Sequence, residues 1–133
     1  MTSESANGPE SIARGLIDAF SARDTAAMRA LMADDLRAYI TNRDGGVDEV
    51  GADEYVRRVD AMDLPRADFQ LTITQVVSPR PDMVIFMVEV RARRGDRTLH
   101  NHAAHCLFTR DGQVAEWWMV EALPEESDTF WAS

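Results

Sequence analysis

The chain has 133 residues, a formal net charge of -9 at pH 7 and a single cysteine. This length predicts one domain that can bury a core without metal or disulfide support. A protein surface that binds phosphate groups needs clustered basic residues. The negative net charge therefore argues against nucleic acid and anionic membranes as partners. One cysteine cannot form an internal disulfide, and no apolar run approaches the ~20 residues of a membrane span. We therefore expect a cytoplasmic protein.

The first half of the chain shows mainly helical patterns. Residues 1–8 are polar and predict a disordered tail, followed by a single domain over 9–133. Apolar residues then recur at helical spacing in three segments, and Pro65 ends this part of the chain. The predicted elements are helices over 10–23, 24–33 and 52–62, a strand over 36–41 and a loop over 42–46.

The chain after Pro65 shows the alternation of β-strands. Turn residues separate four predicted strands, and the last ten residues read as a tail whose Phe130 and Trp131 dock on the domain. The predicted order is α-α-β-α-β-β-β-β. Helices followed by consecutive strands indicate an α+β fold, with helices across one face of a curved sheet that is antiparallel or mixed.

The stretch 99–122 contains all three histidines and two of the three tryptophans, on both sides of an Asp-Gly turn. This pattern predicts a β-hairpin. The turn length decides which side chains face the core, because a slip of one residue exchanges the faces. A three-residue turn at 110–112 places His105 inward, opposite Trp117. A two-residue turn at Asp111 and Gly112 instead pairs His102 with Glu121.

The preceding strand favours the three-residue turn. A two-residue turn at Gly95 and Asp96 sets Phe86 across from His105, on the more apolar face of that strand. The inner face of the hairpin then forms a candidate pocket. The candidate pocket residues from these strands are Phe86, Asn101, His105, Trp117, Met119 and Glu121.

These residue types suit general acid–base chemistry. Apolar walls raise the pKa of a carboxyl group, so Glu121 is the candidate base, and His105 is the candidate proton donor or relay. We expect Asn101 to polarise a carbonyl, and Tyr39 and Tyr55 to reach in as hydrogen-bond donors. The alternative for each residue is a structural role, as a core side chain with a satisfied partner or a carboxylate at the rim.

The outer face of the hairpin predicts an interface. Trp118 and Val120 form an apolar patch there, which indicates a homodimer through the sheet; alternatively, the C-terminal tail covers the patch. His100 and His102 share this face whereas His105 does not, so no metal site is expected. Cys106 also points outward, away from His105, and no phosphate- or dinucleotide-binding motif is present. We expect no cofactor.

Four passages carry a family resemblance. They are the helix at 12–20, LMADDLRAYI from Leu31, the helix at 51–62 and the closing RDGQVAEWWMVEAL from Arg110. Together they cover nearly the whole chain and resemble the nuclear transport factor 2-like superfamily, in its SnoaL-like branch. The resemblance implies a cone, in which a strongly curved sheet wraps a long helix and leaves a pocket at the wide end. It also implies frequent dimers through the outer sheet face.

The resemblance further implies a range of functions. The superfamily includes ketosteroid isomerase, scytalone dehydratase, limonene epoxide hydrolase and polyketide cyclases, and also non-catalytic binding modules. SnoaL-like cyclases use an inward His on the penultimate strand, which His105 matches, and an inward Asp on the last strand, where this chain has Met119. The nearest inward acid is Glu121. We predict a cofactor-independent isomerase, cyclase, dehydratase or hydrolase for a small hydrophobic carbonyl compound; the alternative is a non-catalytic ligand-binding or dimerisation module.

Overall fold

The computed structural model of the chain describes residues 8–42, 44–62 and 68–132. The predicted disordered tail lies outside these residues except for Gly8, and so does Pro65. The elements in chain order are α1 (Pro9–Ser21), α2 (Thr25–Ala30), β1 (Met32–Thr41), β2 (Val47–Val50), α3 (Ala52–Asp60), β3 (Gln70–Arg80), β4 (Met83–Arg94), β5 (Arg97–Arg110), β6 (Gln113–Glu121) and α4 (Pro124–Ala132).

One six-stranded sheet organises the molecule, in the order β2-β1-β6-β5-β4-β3. Strands β1 and β6 run parallel, and every other neighbouring pair is antiparallel. The sheet does not close, and the first three helices pack on its inner face to form the cone. This arrangement confirms the predicted α+β fold with a mixed sheet.

Local chemistry explains how the first two helices begin and end. Pro9 stands in the first turn of α1, where its missing N–H is not needed. Arg23 adopts a left-handed backbone with φ of 61°, which interrupts the helical path. Asp24 then caps α2, because its side chain accepts a hydrogen bond from the Ala27 backbone N–H at 3.0 Å. The bend lets both helices bury apolar side chains against one sheet.

The core fills the space between these helices and the inner sheet face. Phe86, Val84 and Val88 of β4 are fully buried there, as the sequence alternation predicts. Leu16 of α1 and Met28 of α2 pack in the same cluster. The inner face of β4 therefore supports the elements that surround the candidate pocket.

The last hairpin differs from its predicted register. Arg110 pairs with Gln113, so the turn has two residues, with Asp111 and Gly112 both at positive φ. Phe108 nevertheless pairs with Glu116, which leaves Ala115 as an extra residue in β6. This β-bulge shifts the register by one and restores the predicted inner face. The predicted three-residue turn is wrong, and His105 faces inward opposite Met119 instead of Trp117.

Two elements were not predicted. Strand β2 is a four-residue edge strand with two acidic side chains. The C-terminal tail forms helix α4, whose Phe130 is buried against Ala92 and Leu99. The predicted docking of Phe130 and Trp131 is thus confirmed, but the tail leaves the outer patch uncovered: 60% of Val120 is exposed. Within the described ranges, no helix combines the length and apolar character needed to cross a membrane.

Candidate functional site

A cavity of about 390 Å³ lies between the inner sheet face and helices α1, α3 and α4. This volume falls within the range of sites that bind small molecules. Its walls are mainly apolar, with Leu16, Phe20 and Val88 among the lining side chains. Six predicted site residues also line it. They are Tyr55, Asn101, His105, Trp117, Met119 and Glu121.

Two predicted ligand-binding residues do not line this cavity. Tyr39 lies on the outer sheet face, where its ring stacks on Trp118 with centroids 4.1 Å apart. Its neighbours Ala38 and Ile40 face inward, so the alternation of β1 turns Tyr39 outward. Phe86 is fully buried behind His105, and the two rings stack at 4.7 Å. Neither Tyr39 nor Phe86 therefore lines this cavity.

Asn101 is held in one orientation by the backbone. Its Oδ1 accepts hydrogen bonds from the backbone N–H groups of His102 at 2.9 Å and Leu123 at 3.0 Å. The amide nitrogen therefore faces the other way and donates to Glu121 Oε1 at 2.9 Å. A buried amide with both ends engaged is rigid. Asn101 thus fixes one oxygen of the Glu121 carboxylate at the cavity wall.

Glu121 is a half-buried carboxylate near the end of β6. Burial raises its pKa above the ordinary value, and the nearby Asp128 adds to this effect, while hydrogen bonds from Ser127 and Asn101 act in the opposite sense. Cross-strand pairing places Glu121 opposite Ala103. His105 is the diagonal neighbour on the same face, at a Cα distance of roughly 7–8 Å. A raised pKa next to an apolar cavity is typical of a carboxylate that exchanges protons.

His105 is a neutral hydrogen-bond donor at neutral pH. Its Nδ1 accepts a hydrogen bond from Trp117 Nε1–H at 2.9 Å, and since an indole only donates, the ring proton is on Nε2. Burial lowers the pKa of His105 to about 4. No hydrogen-bond partner for Nε2 occurs in the part of the chain that the structure describes. Since His105 lines the cavity, its Nε2–H group is a candidate donor to a molecule there.

Tyr55 supplies a second buried donor on the same wall. It projects from α3 and stacks on Trp117 with ring centroids 4.5 Å apart. Burial raises the pKa of its hydroxyl, with a further rise from the Glu121 charge. Among the described residues, nothing hydrogen-bonds this hydroxyl. Tyr55 and His105 are therefore two polar side chains that line the same cavity and whose donors have no partner among the described residues.

A polar group at another part of the cavity wall was not predicted from the sequence. Asp48 of β2 accepts hydrogen bonds from Asn42 and from Arg58 of α3, each at 3.2 Å. All three residues line the cavity. Arg58 follows Tyr55 by three residues, so helical spacing could have placed it on the same side of α3. Ser127 and Trp131 also line the cavity, but no signal could find them once α4 was missed.

The neutral state of His105 has a measurable consequence. Because its pKa is about 4 in the fold and 6.5 in the reference state, the unfolded chain takes up a proton first as the pH falls. His105 therefore removes at most about 3 kcal/mol of stability between pH 6.5 and pH 4. Glu121 acts in the opposite sense, because stability from its raised pKa is lost as the pH rises through that pKa. Proton NMR of the imidazole should show no titration of His105 above pH 5; a midpoint near 6.5 would contradict the assignment.

The fold and the cavity define a class of protein: α+β cones that enclose a pocket. The model of the SnoaL-like domain matches residues 13–117, and the chain therefore belongs to the SnoaL-like family of the nuclear transport factor 2-like superfamily. No curated protein matches the chain.

Solved structures share the fold at low sequence identity. An NTF2-like protein of unknown function from Burkholderia pseudomallei superimposes with a TM-score of 0.75 at 17% identity, over 97% of this chain and 99% of that one. IdmH from Streptomyces antibioticus, described as a candidate polyketide cyclase, has a TM-score of 0.73 at 17% identity, over 92% and 97% of the two chains. An LEH-like epoxide hydrolase from M. tuberculosis has a TM-score of 0.69 at 15% identity, over 88% and 84%. These likenesses show the fold alone.

Proposed function

We propose that this chain binds a small, uncharged, hydrophobic carbonyl compound in the cavity and catalyses proton transfer at the carbon next to the carbonyl, without a cofactor. One observation supports this most strongly. Two buried donors without partners among the described residues, His105 Nε2–H and the Tyr55 hydroxyl, share a cavity with a carboxylate of raised pKa. This is the set of groups that enolisation needs.

Glu121 acts as the base in this proposal. Its carboxylate takes a proton from the α-carbon, and the electron pair of that C–H bond moves to the carbonyl oxygen to give an enolate. Asn101 is a positioning residue, because its amide donates a hydrogen bond to Glu121 Oε1, and Ser127 also hydrogen-bonds this carboxylate. In a β,γ-unsaturated ketone, return of the proton from Glu121 to the γ-carbon completes an isomerisation. In a dicarbonyl compound, attack of the enolate carbon on the second carbonyl gives an alkoxide, which takes the proton from Glu121 and completes a cyclisation.

His105 and Tyr55 stabilise the developing enolate oxygen. Both flank Trp117, which stacks on Tyr55 and hydrogen-bonds His105, so the two donors lie on one stretch of the wall. Neutral donors suit this task, since they strengthen their hydrogen bonds as the oxygen gains charge and need not lose a proton. The stack of Phe86 behind His105 keeps the imidazole in place.

The charge of the wall favours a neutral ligand. The lining residues include three carboxylates, Asp48, Glu121 and Asp128, against one guanidinium, Arg58. Arg58 is engaged by Asp48 and Glu54, at 3.2 and 3.3 Å, so it is not free to hold an anion. A ligand carboxylate or phosphate would meet net negative charge in an apolar setting, which disfavours binding.

A binding experiment tests this choice of ligand. The probes are β-tetralone and the carboxylate of the same ring system, titrated at pH 7 and followed by tryptophan fluorescence and protein NMR. We expect the ketone to bind and the carboxylate to bind at least ten times more weakly. Equal or tighter binding of the carboxylate would contradict the proposal. A non-catalytic binding protein would give the same binding result. The rate of α-proton exchange on the bound ketone distinguishes it from an enzyme.

We further propose that two copies associate through the outer apolar patch, which consists of Tyr39, Val77, Ile85, Met87, Trp118 and Val120. Cross-strand pairing of β1, β6, β5, β4 and β3 makes these side chains neighbours on one face. Trp118, Val120 and Val77 remain 41%, 60% and 56% exposed, which is typical of an interface.

A charge in the patch should weaken this association. Val120→Glu would bury two like charges at the interface, so we expect the dimer dissociation constant to rise roughly tenfold or more. Val47→Glu is the matched control, because Val47 is similarly exposed at 57% but lies on the edge strand β2. Light scattering over a concentration series measures the effect. A monomeric wild type, or a dimer indifferent to Val120→Glu, would contradict this part of the proposal.

A further inference from the structure

The outer sheet face also brings together two imidazoles and a carboxylate. Glu89 of β4 and His102 of β5 are cross-strand partners, and His100 lies two residues along β5 on the same face. The potential ligand atoms of these three residues all lie within 4.8 Å of one another. His100 Nε2 is 2.6 Å from Glu89 Oε2, and the two imidazole centroids are 5.0 Å apart.

We propose that Glu89, His100 and His102 bind one divalent transition-metal ion of the zinc type. Two imidazole nitrogens and a carboxylate oxygen are the donor set that such ions favour, at distances of about 2.0–2.2 Å. Small side-chain rotations bring the three donors to these distances, because all three are on neighbouring, fully paired strands. Three protein ligands leave a further coordination position open to water.

Arg91 competes with the ion for Glu89. Its guanidinium lies 3.1 Å from Glu89 Oε2. The Arg91 side chain is 59% exposed and can turn into solvent, whereas the Glu89 side chain is only 27% exposed and stays over the sheet. The ion therefore displaces a surface ion pair, which contributes little to stability.

The site is separate from the cavity. Successive residues of a strand point to opposite faces, so Asn101, which lies between His100 and His102, faces the cavity and holds Glu121. The bound ion connects β4 to the two residues of β5 that precede and follow Asn101. It lies on the outer face and does not contact a ligand in the cavity. The sequence predicted no metal site because His105 faces the other way; the third ligand comes instead from Glu89 across the strands.

Zinc titration of the full chain tests the proposal. We expect calorimetry at pH 7 to show one saturable site, and the absorption spectrum of Co²⁺ to report nitrogen ligands. His100→Gln and His102→Gln should each weaken binding at least tenfold, and Glu89→Gln should weaken it by a smaller factor. Glu49→Gln is the matched control, because Glu49 is likewise a strand carboxylate paired with an arginine, Arg37, and it should bind as the wild type does.

All four substitutions are at surface or near-surface side chains, and circular dichroism will verify that each variant is folded. Thermal unfolding provides a second readout, because a metal that binds only the folded chain raises Tm, and the rise grows with the ratio of the free metal concentration to Kd. Zinc should raise Tm of the wild type and of Glu49→Gln, and not of a His100→Gln/His102→Gln variant. The absence of saturable binding, or binding unchanged in the double variant, would overturn the proposal.

Discussion

Glu121→Gln should lower the rate of α-proton exchange on a bound ketone by about 10²–10⁴, the usual contribution of a positioned general base. The amide keeps the size and the hydrogen-bonding capacity of the carboxyl group but cannot accept the proton. Binding of the ketone should change little, because the apolar walls and the two donors remain. Deuterium uptake from D₂O into β-tetralone, followed by NMR, measures the rate.

Glu116→Gln is the matched control for this experiment. Glu116 lies on the same strand as Glu121 but contacts Trp118 on the outer face, outside the cavity. Its substitution should leave the exchange rate unchanged. If Glu121→Gln exchanges as fast as the wild type and Glu116→Gln, then Glu121 is not the base, and the non-catalytic alternative gains support.

Phe86→Ala should have the largest effect on stability, a loss of about 3–5 kcal/mol in the free energy of unfolding. Phe86 is 0% exposed and stacks on His105, so its removal opens a hole behind the imidazole. Trp117 stacks on Tyr55 and hydrogen-bonds His105, which holds the imidazole in place and limits how far the core can close over the hole. Urea denaturation at pH 7 measures the loss.

Phe86→Leu distinguishes the effect of lost side-chain volume from the effect of lost ring stacking at this position. It retains most of the apolar volume, so we expect a loss of only about 1–2 kcal/mol. Phe86→Ala should also loosen His105 and reduce the binding of a neutral ketone, although Phe86 does not line the cavity. A loss below about 1 kcal/mol for Phe86→Ala would show that this position is not the support that its burial indicates.

The inner face of the sheet was predictable from the sequence, and the turn was not. Alternating apolar residues in β4 placed Phe86 across from His105, and the pairing of β4 with β5 matches that prediction. The last hairpin instead has a two-residue turn and an extra residue, Ala115, and these two differences compensate each other on the inner face. A β-bulge has no strong signature in the local sequence. The inner face of the hairpin was therefore predicted correctly although the predicted turn was wrong.

The missed elements have physical reasons as well. Helix α4 begins with Pro124 and two glutamates and carries its apolar residues only at its end, so no amphipathic period marks it. Its position comes from Phe130, which packs on Ala92 and Leu99 far away in the chain. Ser127 and Trp131 reach the cavity only through this contact.

Tyr39 shows a site residue that the sequence could have excluded. The period of two along β1 places Ala38 and Ile40 inward and therefore Tyr39 outward. The roles of Asn101 and His105 needed the structure, because they depend on backbone donors at His102 and Leu123 and on the indole of Trp117. Spacing alone cannot reveal which atom of a side chain is already engaged.

The pH dependence of deuterium exchange into β-tetralone tests the central proposal most directly. We expect the rate of the wild type to rise with pH through an apparent pKa above that of an ordinary glutamate, since burial raises the pKa of Glu121. We expect no further step near pH 6.5, because His105 is already neutral there, and no rise in Glu121→Gln. Equal rates and equal pH profiles for the wild type, Glu121→Gln and His105→Ala would contradict it.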